Sequence, residues 1–163
     1  MKIKLRTRGQ KKLVMRYLIP CRIFLGKLYQ PNEVDPDFPE YSQIIESIKS
    51  ANFETYDQVS KKFQKLWLKR GIYLLMDRVR IILWRTLVKQ IFLVVGTKIE
   101  LESIEKVVKA RGGSESFNEC ICIVANLIFE GYIKGYIFQS ENKRTLVLKS
   151  KGDPFPKLET IVR

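Results

Sequence analysis

Histidine is absent from these 163 residues. That removes the usual general base at neutral pH and the commonest metal ligand together. Cysteine is scarce as well: Cys21, Cys120 and Cys122 make an odd count, two of them a single residue apart. Such a set suits buried thiols in a reducing compartment better than a disulfide frame. Cys120 and Cys122 fall on alternate faces of one expected helix, so they cannot share an ion. No Walker loop or dinucleotide fingerprint occurs, and Gly112-Gly113 reads as a turn. The carboxylates Asp35, Asp37 and Glu40 sit in an expected loop, where they read as solvated charge. No nucleophile, base and orienting group can be assembled from this inventory, so neither catalysis nor a metal or cofactor is expected. Long apolar runs are also missing. The most apolar stretch, Ile72 to Val95, is interrupted by Asp77, Arg78, Arg80, Arg85 and Lys89, short of the roughly 20 unbroken residues that span a bilayer. The basic amino terminus lacks the apolar block and cleavage site of a secretory signal.

Acidic residues are outnumbered. Against 30 lysines and arginines stand 17 aspartates and glutamates, a net charge of +13. Charge of one sign on this scale calls for acidic partners, whether nucleic acid, an acidic protein or an anionic surface.

The hydrophobic period changes once, and the place of the change sets the expected fold. From Thr97 two segments of helical period are joined by Arg111-Gly112-Gly113-Ser114. Two short alternating runs, Tyr136–Gln139 and Thr145–Lys149, then follow across Glu141-Asn142-Lys143. Helix, tight turn, helix and hairpin outline a winged helix with a small antiparallel wing. Thr97-Lys98-Ile99-Glu100 has capping-box spacing, with a short strand over Lys98–Leu101 as the competing reading. Ile104, Val107 and Val108 carry the first helix inward. Ser116 and Glu119 offer a second capping box before the apolar face Phe117, Cys120, Ile121, Val124, Leu127 and Ile128.

Upstream, helix follows helix. Residues 1–32 hold nine basic residues and no acidic one. Leu13, Tyr17, Cys21, Leu25 and Leu28 recur at helical spacing, with Val14, Leu18 and Phe24 filling out the same face, and Pro20 is expected to kink that helix or end it near Ile19. A proline-rich connector runs from Pro31 to Pro39. Tyr41, Ile44, Ile45 and Ile48 make a short second helix, and Asn52 can cap a third from about Phe53 to Arg70. Ile72 to Val95, apolar nearly all round, is expected to be buried among the others. The fold class is therefore mostly α, a helical stack over residues 1–95 followed by a winged helix over 96–163.

Four stretches in register strengthen this outline. Tyr17-Leu18-Ile19-Pro20-Cys21-Arg22-Ile23-Phe24-Leu25-Gly26-Lys27-Leu28, Arg70-Gly71-Ile72-Tyr73-Leu74-Leu75-Met76-Asp77-Arg78-Val79-Arg80, and Trp84-Arg85-Thr86-Leu87 resemble segments of PCI-domain proteins of the messenger-RNA export type. The serine–lysine end Leu148-Lys149-Ser150-Lys151 and the tail Asp153-Pro154-Phe155-Pro156 resemble that family's close. The likeness covers about Leu13 to Pro156. It implies a nuclear, non-catalytic subunit of the complex that couples transcription to messenger-RNA export, with access to the cytoplasm at the nuclear pore. It implies two protein partners: a large PCI scaffold subunit and a small, acidic, mostly disordered cofactor protein. Related PCI proteins serve in the signalosome, the proteasome lid and a translation initiation factor. Family members begin with a longer set of helical repeats, whereas this chain starts at the last of them, as a reduced member or a carboxy-terminal portion.

Candidate binding residues fall into three groups. Lys134, Lys143, Arg144, Lys149 and Lys151 lie on or near the hairpin, with Lys109 and Arg111 at the end of the first winged-helix helix. This set could follow a phosphate backbone of RNA or DNA without reading sequence; it could equally keep a sheet edge soluble. The second helix turns Glu115, Glu119, Asn126 and Glu130 outward on this reading, which argues against major-groove entry. Lys61, Lys62, Lys65 and Lys69 form a stripe of uniform sign on the third helix. It is either a solvated face or a docking face for the acidic cofactor or RNA, since like charges at i,i+4 repel. Leu146, Val147 and Leu148 are expected on a strand with a free edge, open to pairing with a PCI partner. The amino-terminal Lys2, Lys4, Arg6, Arg8, Lys11 and Lys12 suit an electrostatic arm, a nuclear-import signal or a former interface. The alternatives to an export subunit are a signalosome-like or proteasome-lid-like scaffold and a winged-helix DNA-binding regulator.

Overall fold

The structure, a computed structural model, describes residues 8–30, 36–140 and 143–161. Lys2, Lys4, Arg6, Asp35, Glu141 and Asn142 lie outside the described residues. Helix α1 spans Arg8–Phe24, α2 Pro39–Ser50, α3 Phe53–Arg70 and α4 Tyr73–Val95. Strand β1 covers Lys98–Glu100, α5 Leu101–Ala110, α6 Phe117–Phe129, β2 Gly135–Gln139 and β3 Arg144–Leu148, and a 3-10 turn covers Leu158–Thr160. The mostly helical class and the winged-helix order are those expected from the sequence.

The boundaries have local causes. Asn52 caps α3 by accepting from Thr55 N–H at 2.9 Å, and Ala51 before it adopts the left-handed region that closes α2. Ser116 and Glu119 form the reciprocal capping box of α6. The other proposed box does not form. Lys98–Glu100 is a strand, and α5 starts without a side-chain cap. Ile99, fully buried, pairs with Leu146, and that pairing takes the backbone a helix start would have needed.

Three expectations for the stack are corrected. Pro20 neither ends α1 nor marks its last turn, because the helix continues to Phe24. A proline leaves the carbonyl four residues earlier without its N–H. Here the Tyr41 hydroxyl, on a fully buried ring, donates to the Arg16 carbonyl at 2.9 Å. The buried face of α1 also differs in part: Phe24, on the expected face, is buried, but it is joined there by Ile19 and Ile23, while Leu13, Tyr17 and Cys21 are exposed. α4 is not buried all round either. Met76, Val79, Leu83, Leu87 and Val88 face the core, but Leu74, Leu93, Val94 and Val95 are exposed.

The Tyr41 contact makes a prediction. Tyr41→Phe leaves a part-buried carbonyl unpaired and is expected to cost about 1 kcal/mol in urea unfolding. In a Pro20→Ala background the restored N–H serves Arg16, so the same change should cost less than half as much. Equal costs in both backgrounds would dismiss the compensation.

One hydrophobic cluster runs from Ile19 through the helices to Leu146, Leu148, Phe155 and Leu158. α4 is its spine, touching α1, α2, α3, β1 and α5. The stretches that resemble the PCI family meet on it. Arg85 donates to the Pro156 carbonyl at 2.8 Å and the Tyr132 carbonyl at 3.2 Å, and Phe155 packs on Phe92 with ring centroids 5.5 Å apart. Gly26 lies where a Cβ would come 2.5 Å from Leu158 Cδ1, and Lys27 pairs with Glu159 at 2.8 Å. Those motifs therefore bind the carboxy-terminal tail back onto the stack.

Candidate nucleic-acid and partner interface

The sheet is antiparallel in the order β1-β3-β2. This corrects the expected free edge. Val147 pairs with Lys98 on one side and Tyr136 on the other, and Leu146 with Ile99 and Ile137. β3 is the central strand, so Leu146, Val147 and Leu148 have no open backbone to offer. The short strand at Lys98, the competing reading of that stretch in the sequence, is what removes the free edge, and β1 buries the single residue Ile99. Leu146 and Leu148 do share the buried face, with Val147 opposite. The edges are β1 and β2. Ser140 N–H donates to the Lys143 carbonyl at 2.8 Å, and Lys149 N–H to the Lys134 carbonyl at 2.9 Å. With those pairs hydrogen-bonded, the alternation of an antiparallel ladder turns the N–H and C=O groups of Gly135, Ile137 and Gln139 away from β3.

The same register sorts the cationic residues. Side chains alternate across a strand. Tyr136 and Phe138 are opposite Val147 and Thr145 on the outer face, and one step beyond on either side come Lys134 with Lys149, and Ser140 with Lys143. Lys98 joins this face from β1, a residue outside the expected set. Glu100 is the carboxylate on it and binds Lys143 at 3.1 Å. Lys134, Lys149, Lys98 and the following Lys151 are exposed and make no ion pair among the described residues.

Other expected members are engaged elsewhere. Arg144 falls on the opposite face and lies over the Phe117 ring at 5.7 Å. Lys109 pairs with Glu105 at 2.7 Å. The Arg111 guanidinium donates to the Ser50 carbonyl in the turn before α3. These three are bound by local contacts, and the structure does not bring them into the cluster on the outer sheet face.

The carboxylates are redistributed too. Glu115 does not face outward from α6. Its side chain is 12% exposed and binds Arg80 at 2.6 Å. Arg80 also binds Asp57 of α3 and lies over the Phe53 and Tyr56 rings. Burial works against the Arg80 charge, but the hydrogen bonds to Asp57 and Glu115 outweigh it and raise its pKa. Glu119 is held below the usual carboxylate range by the Ser116 hydrogen bonds of the capping box. The exposed positions of α6, including Asn118 and Asn126, contain no cation, and Glu130 just after it adds none. Cys120 is fully buried, and burial, with Glu115 nearby, pushes its thiol up to about 11.

On α3, Lys61, Lys62, Lys65 and Lys69 are all exposed and unpaired among the described residues, with Leu68 exposed between them. Lys62 lies over the Phe63 ring at 5.2 Å. Trp67 is core, 1% exposed. Arg70 is removed from the stripe by its pairing at 2.6 Å with Glu40. Glu40, read as solvated from the sequence, is 2% exposed in the first turn of α2. Among the described residues no group of three potential ligands could hold a metal, and no helix is long and apolar enough to cross a membrane.

Comparison with known proteins agrees with this architecture. The PCI domain pattern matches residues 60–149. The chain is similar to the PCI domain-containing protein 2 homolog of Dictyostelium discoideum, 30% identical over 91% of this chain and 34% of that protein. It is similar to PCI domain-containing protein 2 of Xenopus laevis, 28% identical over 95% of this chain and 39% of that one. COP9 signalosome complex subunit 12 of Eremothecium gossypii is 28% identical over 90% of this chain and 39% of its own length. The chain thus spans between a third and two-fifths of the length of these relatives.

Proposed function

The chain belongs to the PCI-domain family, and on that premise we propose that it is a non-catalytic subunit of the nuclear messenger-RNA export complex. In this reading it pairs with a large PCI scaffold subunit and presents a cationic surface to nucleic acid without strong sequence preference. The unpaired lysines of the outer sheet face carry the nucleic-acid part. Four lysines against one carboxylate on a small antiparallel sheet suit a phosphate backbone, and α6, without a cation on its exposed side, does not suit the major groove. The outward backbone of β2 suits strand addition by a PCI partner. The α3 stripe suits the small acidic cofactor, whose negative charge would offset the lysine–lysine repulsion. Work of this kind is nuclear, with a cytoplasmic fraction at the pore.

The similarity to a protein named as a signalosome subunit supports a second reading, a scaffold that needs no nucleic acid. Fluorescence anisotropy with single-stranded RNA and duplex DNA separates the two. For about four phosphate contacts, single-strand affinity should fall on the order of 50-fold between 50 and 200 mM salt. Absence of binding at the lower salt would leave the scaffold reading. Sequence-selective duplex binding would favour a DNA-binding regulator.

A further inference from the structure

The outer sheet face presents two aromatic rings that the phosphate reading leaves without a role. Tyr136 is 60% exposed and Phe138 56% exposed, on one strand and one face. Their neighbours across the ladder, Val147 and Thr145, are half-buried, so the rings stand on a packed floor. The buried side of the same strand already supplies the core contact through Ile137 against Leu146. Exposing two large aromatic groups side by side costs solvation that a soluble sheet would avoid by placing polar residues there. The surroundings name what would cover them. Lys134 and Lys149 flank the rings at one end, Lys143 at the other, and Lys98 across the sheet, with Glu100 already paired to Lys143. An apolar protein surface would gain nothing from that frame of cations. A polyanion whose links each bear a flat π-face would satisfy both.

We infer that this face is a single-strand platform, on which two bases of an RNA or DNA strand stack on Tyr136 and Phe138 while the lysines hold the flanking phosphates. The inference rests on the nucleic-acid reading above and deepens it, from backbone contact to stacking on unpaired bases. Alternate residues of a strand lie about 7 Å apart, so the two rings can take bases splayed from an extended backbone but not the closed stack of a duplex. Each base stacked on an aromatic ring contributes enough that alanine substitution costs roughly 5- to 150-fold in affinity. Selectivity for unpaired over paired strands follows with no hydrogen-bond reading of sequence.

The test uses the full chain with fluorescently labelled single strands of identical sequence in RNA and DNA form, and the corresponding duplex. Tyr136→Ala and Phe138→Ala should each weaken single-strand binding by about ten-fold or more, leave the salt slope unchanged and leave duplex binding within about two-fold. Tyr136→Trp and Phe138→Trp should retain binding, and Tyr136→Leu and Phe138→Leu should not. Lys134→Ala with Lys149→Ala should instead reduce the salt slope by about one to two for both ligands. Both rings are exposed, and unchanged thermal midpoints would confirm that the alanine variants fold. If wild type binds single strands but the alanine variants bind equally well, stacking is overturned while the electrostatic reading stands. If leucine serves as well as tryptophan, the contact is apolar rather than a base stack and the platform is rejected. If wild type binds no single strand at low salt, this inference and the reading beneath it fall together.

Discussion

Arg80→Ala is expected to lower the unfolding free energy by about 3 kcal/mol, among the largest effects of any single side chain here. The guanidinium joins three parts of the molecule: α4, on which it stands, Asp57 on α3, and Glu115 at the start of α6. Its side chain is 31% exposed, against 30% for Asp57 and 12% for Glu115, so solvent reaches part of the network and the cost falls at the lower end of that for a buried pair. Removing it leaves two carboxylates facing each other with no cation between them. The cost is mostly that of the abandoned charges rather than the worth of the pairs. A charge-free replacement should therefore be tolerated. Arg80→Met together with Asp57→Asn and Glu115→Gln keeps the volume, removes both carboxylates and should recover more than half of the loss. Urea titration followed by tryptophan fluorescence gives both numbers, and the alanine variant should melt roughly 6–12 °C below wild type. A shift under about 0.5 kcal/mol for Arg80→Ala would show the network to be solvated and immaterial.

Arg80 also shows why some of the molecule could be read from the chain and some could not. Period and punctuation are local, and they located α2, α3, the α6 capping box and the hairpin to within a residue or two. Whatever depended on a distant partner was invisible. Glu115 and Glu40 look like solvated carboxylates until Arg80 and Arg70 are placed beside them, 35 and 30 residues away. Pro20 looks like a helix end until Tyr41 satisfies the carbonyl it leaves free. The lysines of the wing were legible as a cluster, but not their division between two faces, because that follows from register. β1, three residues long with one buried side chain, then adds Lys98 to one of those faces. Tyr136 and Phe138 alternate as any wing strand would. Only their exposure in the folded chain shows that their side of the sheet has nothing packed on it among the described residues.

The turn between α5 and α6 supplies the second large effect. Gly112-Gly113 reads from the sequence as a turn, and in the structure it is also a docking point. Gly112 adopts φ +79°, and a Cβ there would run into the Glu54 side chain and come within 3.1 Å of the Glu54 nitrogen. The preceding Arg111 carbonyl accepts from Phe53 N–H at 2.9 Å and Glu54 N–H at 3.3 Å, satisfying donors that the first turn of α3 cannot bond internally. The winged helix thus closes the amino-terminal end of a stack helix through its own turn. Gly112→Ala must bear left-handed strain of about 1–2 kcal/mol and, on top of it, an overpacking cost of about 1–3 kcal/mol. A loss of about 3 kcal/mol in urea unfolding is the expected sum. Gly71 separates the two contributions: it has φ +69° but open space where a Cβ would go. Gly71→Ala should bear the strain alone and cost about 1 kcal/mol. Moving Glu54 out of the way by Glu54→Gly should restore part of the Gly112→Ala loss and none of the Gly71→Ala loss. Equal costs at the two glycines would mean that the turn touches α3 without bracing it.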